Sequence, residues 1–252
     1  MRIAIIGIGR LGTVFARVLS KNHELLLIDR HFEDARNVAS EIGAQPVKDL
    51  TEARTADMAI VAVKPEHVED VVKQLRDARL VVSCAAGVPI SRYESWGVRN
   101  IIRIIPNICV DVGEAVVAYS LHPEVEQKEK VFLTAFSSLG LCVKTAESHL
   151  EAMKASSGSG PAFIAFLAEA MIEEAVANGL ARETAEKCVA QTLRGTGSLM
   201  KAGWSTKKII ETVASPGGST EAGLKMLEKK DAAKAIRDAI KMTTAKARSQ
   251  GK

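Results

Sequence analysis

Aromatic residues are scarce in this sequence, which has two tryptophans, two tyrosines and six phenylalanines among 252 residues. Single-stranded nucleic acid is usually bound on a platform of aromatic rings, and this composition does not supply one. The formal net charge of +4 is small for this length, and basic residues are concentrated only near the C-terminus. Because such a run is typical of a solvated helix end, we expect no nucleic-acid partner.

Cysteine is also rare, and the four cysteines lie far apart with no pair at C-x-x-C spacing. This pattern excludes a disulfide framework, and no cysteine or histidine cluster has the spacing of a zinc site. No apolar run has the length of a membrane span, and residues 2–6 are too short for the apolar part of a secretion signal. We expect a cytoplasmic protein with reduced thiols, no bound metal and no membrane partner.

Short apolar segments alternate with helical patterns in the first half of the chain. Helices are predicted at Thr13–Ser20 and Phe32–Ile42. Strands are predicted at Arg2–Ile6, Glu24–Ile28, Met58–Val63, Leu80–Ser83 and Asn100–Ile105, with edge strands at Ala115–Tyr119 and Gly140–Val143. Alternation of this kind is typical of α/β proteins with a Rossmann-type doubly wound parallel sheet. We place this domain at residues 1–145.

A glycine fingerprint directly follows the first predicted strand and opens the first predicted helix. It reads Gly7-Ile8-Gly9-Arg10-Leu11-Gly12. The glycines allow a tight turn and let a pyrophosphate approach the backbone at the helix N-terminus. The strand–turn–helix context makes the motif specific, so we predict a bound dinucleotide.

Two residues after the second predicted strand bear on which dinucleotide is bound. Asp29 lies where a carboxylate contacts the adenosine ribose hydroxyls, whereas Arg30 could bind a 2′-phosphate instead. Because a carboxylate repels a phosphate, we favour NADH over NADPH. Later strand ends carry Lys64, Ala86, Gly87 and Asn107, which we expect to line the same cleft, since ligands bind beyond the carboxyl ends of such strands.

Long helices are predicted from residue 146 to residue 252. The helix Pro161–Asn178 is apolar on almost all sides, so we expect it to be buried against a second copy of the chain in a homodimer. Further helices are predicted at Glu183–Met200, Thr206–Val213, Glu221–Glu228 and Ala232–Ala247.

The segment Ser215–Thr220 is the candidate site of chemistry. Pro216 fixes its own φ, and the glycines at 217 and 218 allow a tight turn before Ser219, Thr220 and the next helix. A helix that begins after such a turn offers unpaired N–H groups to a carboxylate. The alternative is that Ser219 or Thr220 simply caps the helix. A second turn of this kind, Ser156–Gly160, precedes the apolar helix.

These motifs together resemble the pyrroline-5-carboxylate reductase family over nearly the whole chain. The most specific are Ser157–Ala162 and Ser215–Ala222. The others are Gly7–Gly12, Ala62–Pro65, Ser83–Val88, Ile102-Arg103 with Pro106-Asn107, and Val112–Glu114. The resemblance implies a Rossmann domain, an all-helical dimerisation domain, and reduction of a cyclic imine to L-proline by NADH or NADPH.

The resemblance also implies roles for individual residues. Thr220 and Ser219 would be the catalytic residues and would orient the substrate, with no catalytic histidine and no metal. Substrate binding would involve Glu147, Gly158, Ser159, Ser215, Gly217, Gly218, Ser219 and Thr220. Cofactor binding would involve Ile6, Gly7, Ile8, Gly9, Arg10, Leu11, Gly12, Asp29, Arg30, Asp49, Ala62, Val63, Lys64, Pro65, Cys84, Ala85, Ala86, Gly87 and Asn107. Asp49 stands where the family often has asparagine, and a second carboxylate there also favours NADH.

The chain departs from the family pattern at several positions. Arg10-Leu11 replace Asn-Met, Ile108-Cys109 replace Thr-Pro, and Lys154 replaces a threonine before the serine–glycine turn. The last three residues lie near the expected imine pocket. They leave open a reductase of a related cyclic imino acid, such as a six-membered ring. A dimeric regulator that binds a dinucleotide without turnover is the other alternative.

Overall fold

The computed structural model of the protein describes residues 1–250, with side chains up to Ala247. Packing divides this part of the chain into two units. The first unit contains Met1–Pro161 and the residues from Thr243 onward, and the second contains Ala162–Met242. The domain boundary predicted at residue 145 lies where the sheet ends in the sequence, and it stays a prediction.

The first unit is built on one eight-stranded sheet with the order β3-β2-β1-β4-β5-β6-β7-β8. Neighbouring strands are parallel except β6 and β7, which are antiparallel. The strands are β1 (Arg2–Ile6), β2 (Glu24–Ile28), β3 (Gln45–Val47), β4 (Met58–Val61), β5 (Val81–Ser83), β6 (Ile101–Pro106), β7 (Ala115–Leu121) and β8 (Gly140–Lys144). The order reverses at β1, where the chain returns to form β4, and this confirms the predicted doubly wound fold.

Strand β3 is the one strand of this sheet that was not predicted. Its three residues include a proline and form neither an apolar run nor an alternating pattern. Pro46 is tolerated because β3 lies at the edge of the sheet, where a missing N–H donor leaves no ladder position unpaired. The tertiary position of the segment, and not its sequence, therefore decides its conformation.

Helices cover both faces of the sheet. Along β1, Ile3 and Ile5 belong to one buried cluster, and Ala4 and Ile6 belong to the other. Both faces of the strand are apolar because successive side chains point to opposite sides and both sides are covered. The helices of this unit are α1 (Arg10–Leu19), α2 (Phe32–Ile42), α3 (Val68–Lys73), α4 (Ile90–Ser95), α5 (Glu129–Phe136) and α6 (Leu150–Met153). A π-helical segment, Lys154–Gly158, follows α6.

The rest of the described chain is helical. Its helices are α7 (Gly160–Ala177), α8 (Arg182–Lys201), α9 (Thr206–Val213), α10 (Ser219–Lys229) and α11 (Ala232–Gln250). In a single chain, α7 is not buried on most sides: Ile172 is 9% exposed, but Phe166 is 76% exposed. Within residues 1–250, no helix combines the length and the apolar character that a membrane crossing requires.

The start of β8 gives a prediction about stability. Gly140 has φ +139° and ψ −148°, a region used almost only by glycine, and a Cβ there would lie 2.1 Å from the Ala115 oxygen. We expect Gly140→Ala to lower the free energy of unfolding by about 3 kcal/mol or more, as measured by urea denaturation. The matched control is Gly43→Ala, because Gly43 also has positive φ (+70°) but a Cβ there would meet nothing within 4 Å. Equal stability of the two variants would contradict this account of the strand junction.

Candidate functional site

The glycine turn joins β1 to α1 at the carboxyl end of the strand. Gly7 has φ +95°, and its N–H donates to the Ile28 oxygen at 2.8 Å. A Cβ on Gly12 would lie 1.9 Å from the Gly7 oxygen, so the fold itself requires this glycine. Gly9 is different, because a Cβ there would have no neighbouring atom within 4 Å. The space beside Gly9 therefore fits a ligand that approaches the backbone, as a dinucleotide pyrophosphate does.

A cavity of about 410 Å³ opens beside this turn. Nine of the predicted cofactor residues line it: Ile6, Gly7, Ile8, Gly9, Asp29, Arg30, Ala62, Val63 and Lys64. The lining also includes His31, Lys48 and His67, which sequence reasoning missed. His31 and Lys48 lie just after β2 and β3, so their positions beyond the strand ends could have indicated them as cavity residues. Lys48 was missed because the strand before it was not predicted.

The Asp29 carboxylate is held in a fixed position at the end of β2. Its Oδ2 accepts from the Ile8 N–H at 2.7 Å, and its Oδ1 accepts from the His31 N–H at 2.9 Å. The neighbouring Arg30 Nη1 lies 3.2 Å from the His67 ring Nε2. The cavity wall thus carries a carboxylate anchored to the glycine turn and a guanidinium in contact with a histidine.

Asp49 is placed differently from Asp29. Its side chain accepts from the Thr51 N–H at 2.8 Å and caps the short 3₁₀ helix Leu50–Thr55. This hydrogen bond from the backbone is the largest of the effects that lower the pKa of the Asp49 carboxyl group. Asp49 is not among the residues that line the cavity, although its neighbours Lys48 and Leu50 are.

The predicted loop Cys84–Gly87 follows β5. The Ser83 hydroxyl accepts from the Ala85 N–H at 3.3 Å and lies 2.6 Å from the Tyr93 hydroxyl. Desolvation raises the pKa of the Cys84 thiol well above its usual range, and burial raises the pKa of Tyr93 to about 12. Both groups therefore stay protonated near neutral pH, so neither Cys84 in the loop nor Tyr93 on α4 carries a charge there.

The serine–glycine turn lies near the end of β6. Asn107 follows that strand, and its Nδ2 donates to the Ser157 oxygen at 3.1 Å. The Ser159 N–H donates to the Lys154 oxygen at 2.9 Å and closes the π-helical segment. A Cβ on Gly158 would lie 3.5 Å from the Lys154 Cγ, so the lysine stem packs beside the glycine. The structure thus brings Asn107 to the predicted turn.

Glu147 is bonded both to β6 and to the start of α4. Its Oε1 accepts from the Ile90 N–H at 2.7 Å and from the Arg103 Nη1 at 3.0 Å. Arg103 belongs to the motif Ile102-Arg103, but sequence reasoning assigns no role to its buried guanidinium.

In the second unit, the predicted turn Ser215–Thr220 ends where α10 begins. Gly217 has φ +75°, and the Gly218 N–H donates to the Ser215 oxygen at 3.0 Å. Gly218 is the N-cap residue, and no side chain caps the helix. The alternative that Ser219 or Thr220 caps α10 is therefore wrong. Glu221 instead reaches back, and its carboxylate accepts from the Gly217 N–H at 2.9 Å.

The remaining predicted cofactor residues do not line the cavity. They are Arg10, Leu11, Gly12, Asp49, Pro65, Cys84, Ala85, Ala86, Gly87 and Asn107. Among the residues that the structure describes, no group of three histidine, cysteine, aspartate or glutamate side chains is placed to hold a metal ion.

Comparison with known proteins agrees with this architecture. Residues 2–87 match a family model described as NADP oxidoreductase coenzyme F420-dependent, and residues 147–250 match one described as pyrroline-5-carboxylate reductase dimerisation. A pyrroline-5-carboxylate reductase of Aquifex aeolicus is 32% identical over 258 residues, which cover 98% of this chain and 97% of the relative.

Two solved structures have the same fold. The 1-pyrroline-5-carboxylate reductase of Streptococcus pyogenes has a TM-score of 0.88 and 28% identity, covering 99% of this chain and 98% of that one. A Plasmodium falciparum pyrroline carboxylate reductase with NADP bound has a TM-score of 0.88 and 24% identity, covering 100% of this chain and 98% of that one. On the strength of the chain-long match to the Aquifex protein, this chain belongs to the pyrroline-5-carboxylate reductase family.

Proposed function

We propose that the protein reduces the C=N bond of L-1-pyrroline-5-carboxylate to give L-proline, the last step of proline biosynthesis. The observation that carries the proposal is the start of α10, where a glycine turn leads into a helix whose first two hydroxyl side chains are not used as caps. Family membership supports it, since the relative from Aquifex aeolicus that bears this activity in its name aligns with 98% of the chain.

The proposal assigns the substrate carboxylate to the backbone N–H groups of Ser219 and Thr220. These groups lie at the positive end of the helix dipole, which stabilises a small anion. Ser215, Gly217 and Gly218 shape the turn, and the positive φ of Gly217 makes glycine the suitable residue there. In the first unit, Glu147, Gly158 and Ser159 are also assigned to substrate binding.

The chemistry requires positioning more than a reactive side chain. The nicotinamide cofactor, when bound, supplies a hydride to the imine carbon. The Thr220 hydroxyl donates a hydrogen bond to the substrate and orients it. The neighbouring Ser219 hydroxyl helps to orient the substrate. A proton from solvent, or one relayed by Thr220, is held at the imine nitrogen, and the resulting iminium carbon accepts the hydride more readily.

The cofactor is assigned to the cavity beside the glycine turn. The open space at Gly9 fits a pyrophosphate, and the predicted residues that do not line the cavity are assigned to the parts of the cofactor beyond it. We propose NADH as the preferred reductant. The fixed carboxylate of Asp29 is suited to accept hydrogen bonds from ribose hydroxyls, and it repels a 2′-phosphate. The Arg30 guanidinium, which could counter this repulsion, is in contact with His67.

We further propose a homodimer in the cytoplasm. The second unit exposes large apolar side chains in a single chain, including Phe166, Met171 and Leu227. Apolar surface of this extent is typical of an interface between subunits. The family model that matches residues 147–250 carries dimerisation in its description, which supports the same assignment. The four cysteines are free thiols, as suits a reducing compartment.

One observation favours a second candidate substrate. Lys154 packs beside Gly158, in the turn assigned to substrate binding, where the family usually has a threonine. A longer, cationic residue at this place changes the shape and charge around the turn. The second candidate is therefore reduction of the related six-membered cyclic imino acid on the same scaffold.

Initial rates of NADH and NADPH oxidation test the proposal directly. The five-membered and six-membered cyclic imino acids are supplied in turn as substrates, with the corresponding carboxylate-free imines as controls. We expect the highest kcat/KM with L-1-pyrroline-5-carboxylate and little turnover without the carboxylate. A higher kcat/KM with the six-membered ring would favour the second candidate. Cofactor binding without oxidation by any substrate would indicate a regulator instead of an enzyme.

Thr220 gives a sharper test of the substrate site. We expect Thr220→Ala to raise KM and to lower kcat/KM by a factor of about 5 to 150, because the hydrogen bond between this hydroxyl and the bound substrate is lost at roughly 1–3 kcal/mol. Thr220→Ser is the matched control, since it keeps the hydroxyl and should stay within a few-fold of the natural enzyme. A kinetically silent Thr220→Ala would contradict the role of this hydroxyl.

Asp29 gives a test of cofactor preference. We expect Asp29→Asn to raise the NADPH-to-NADH ratio of kcat/KM about tenfold, since it removes roughly 1.4 kcal/mol of charge repulsion while keeping an oxygen acceptor. Asp49→Asn is the comparison variant, because that carboxylate caps a helix outside the cavity, and it should change the ratio less. If the ratio of Asp29→Asn equals that of the natural enzyme, Asp29 does not select the cofactor.

A further inference from the structure

An ionic cluster of a buried arginine and two partly buried glutamates is centred on Arg103 of β6, outside the cofactor cavity. Of its three residues, only Glu147 is assigned to the substrate. The side chain of Arg103 is 5% exposed, and its Nη1 donates to the Glu147 carboxylate at 3.0 Å. Its Nη2 donates to the Glu151 carboxylate at 2.9 Å. One guanidinium thus bridges two carboxylates that belong to different elements, and we call these three residues the Arg103 cluster.

The Arg103 cluster is joined to the loop after β5. The Glu147 oxygen that binds Arg103 also accepts from the Ile90 N–H at 2.7 Å, at the start of α4. That helix begins three residues after Gly87, so the cluster holds the chain just beyond the loop Cys84–Gly87. At the near end, Ser83 pairs with Arg103 in the sheet register and accepts from the Ala85 N–H.

The cluster is joined to the serine–glycine turn as well. Glu151 lies on α6, which runs directly into the π-helical segment Lys154–Gly158. At its other end, this segment is held by Asn107, whose Nδ2 donates to the Ser157 oxygen. Both attachments originate from β6 or from the residue that follows it, so one strand fixes the turn at two points.

Stability alone is a weak explanation for such a cluster. A buried cation with two carboxylates loses much of its Coulomb gain to desolvation, and packed apolar side chains often stabilise a protein equally well. The Arg103 Nε and the Glu151 Oε2 are both buried without a partner among the described residues, so the bonding capacity of the cluster is not fully used. What the planar guanidinium supplies is direction, because its two nitrogens bind two carboxylates in a fixed geometry.

We propose that Arg103 is a positioning residue for the reductase reaction. It fixes the loop Cys84–Gly87, which is assigned to the cofactor, relative to the turn Ser157–Ser159, which is assigned to the substrate. The inference rests on the proposed function, and it concerns the alignment of the two loops and not the binding of either ligand. Hydride transfer is sensitive to small errors in such alignment, whereas binding is less so.

Steady-state kinetics of three variants test this role. We expect Arg103→Met to lower kcat at least 30-fold while the dissociation constant for NADH changes less than threefold. A primary deuterium isotope effect with 4-deuterated NADH should rise, because hydride transfer becomes rate-limiting. Arg103→Lys keeps the positive charge but not the planar guanidinium with its two donor nitrogens. Its kcat should lie between those of Arg103→Met and the natural enzyme. Arg99→Met is the matched control, since Arg99 makes exposed ion pairs with Glu94 and Glu124, and it should have the natural kcat.

Folded Arg103→Met with kcat within twofold of the natural enzyme would overturn the inference. So would a rise of more than threefold in the dissociation constant for NADH, because Arg103 would then act on cofactor binding and not on alignment alone. If Arg103→Met does not fold, Glu151→Gln replaces it, because this change keeps the volume and removes one charged partner. We then expect kcat to fall at least fivefold, and an unchanged kcat would overturn the inference in the same way.

Hydrogen–deuterium exchange separates this inference from the proposed function, because it needs no substrate. In Arg103→Met, or in Glu151→Gln if the former does not fold, we expect amides of residues 84–90 and 154–160 to exchange at least tenfold faster. The same amides should be unchanged in Arg99→Met. If the natural enzyme lacked the proposed activity, this exchange would still report the coupling of the two loops. Unchanged exchange in both segments would overturn it.

Discussion

An anion is bound at a helix terminus only if the backbone N–H groups there are not already used by the protein. This constraint decides how α10 begins. Gly218 occupies the N-cap position and brings no side chain to the helix end, while the hydroxyls of Ser219 and Thr220 point from positions inside the first turn. Glu221 accepts from the Gly217 N–H, one residue before the N-cap, and leaves the helical donors to a ligand. The proposed carboxylate site follows from this arrangement of the turn.

A related constraint applies in the first unit, where the dinucleotide must approach the backbone of the glycine turn. Gly12 is required by the protein's own backbone, and Gly9 is required only if something approaches from outside. The Asp29 carboxylate accepts from the Ile8 N–H, and this hydrogen bond joins the end of β2 to the glycine turn in the cavity wall. Further along the sheet, Arg103 serves a similar purpose for two loops. In each case a buried or anchored charge fixes backbone segments that have little regular structure of their own.

Most of the fold could be predicted from the sequence, because parallel strands covered on both faces are continuous apolar runs and the glycine fingerprint lies directly between a strand and a helix. Strand β3 could not, since Pro46 and its neighbours form an edge strand only through their contact with β2. Lys48 was missed for the same reason. Arg103 was visible as a residue of a motif, but nothing near it in sequence indicates Glu147 and Glu151 as partners, which lie 44 and 48 residues away. The apolar pattern of α7 likewise predicts that the helix is covered, but it does not specify which surface covers a residue such as Phe166.

The central claim is that the turn before α10 binds the carboxylate of the substrate and product. A crystal structure of the protein with L-proline tests it most directly. The account predicts the proline carboxylate within hydrogen-bonding distance of the backbone N–H groups of Ser219 and Thr220, with the Thr220 hydroxyl in contact with the ligand. A proline carboxylate bound elsewhere, with these N–H groups facing only water, would contradict it.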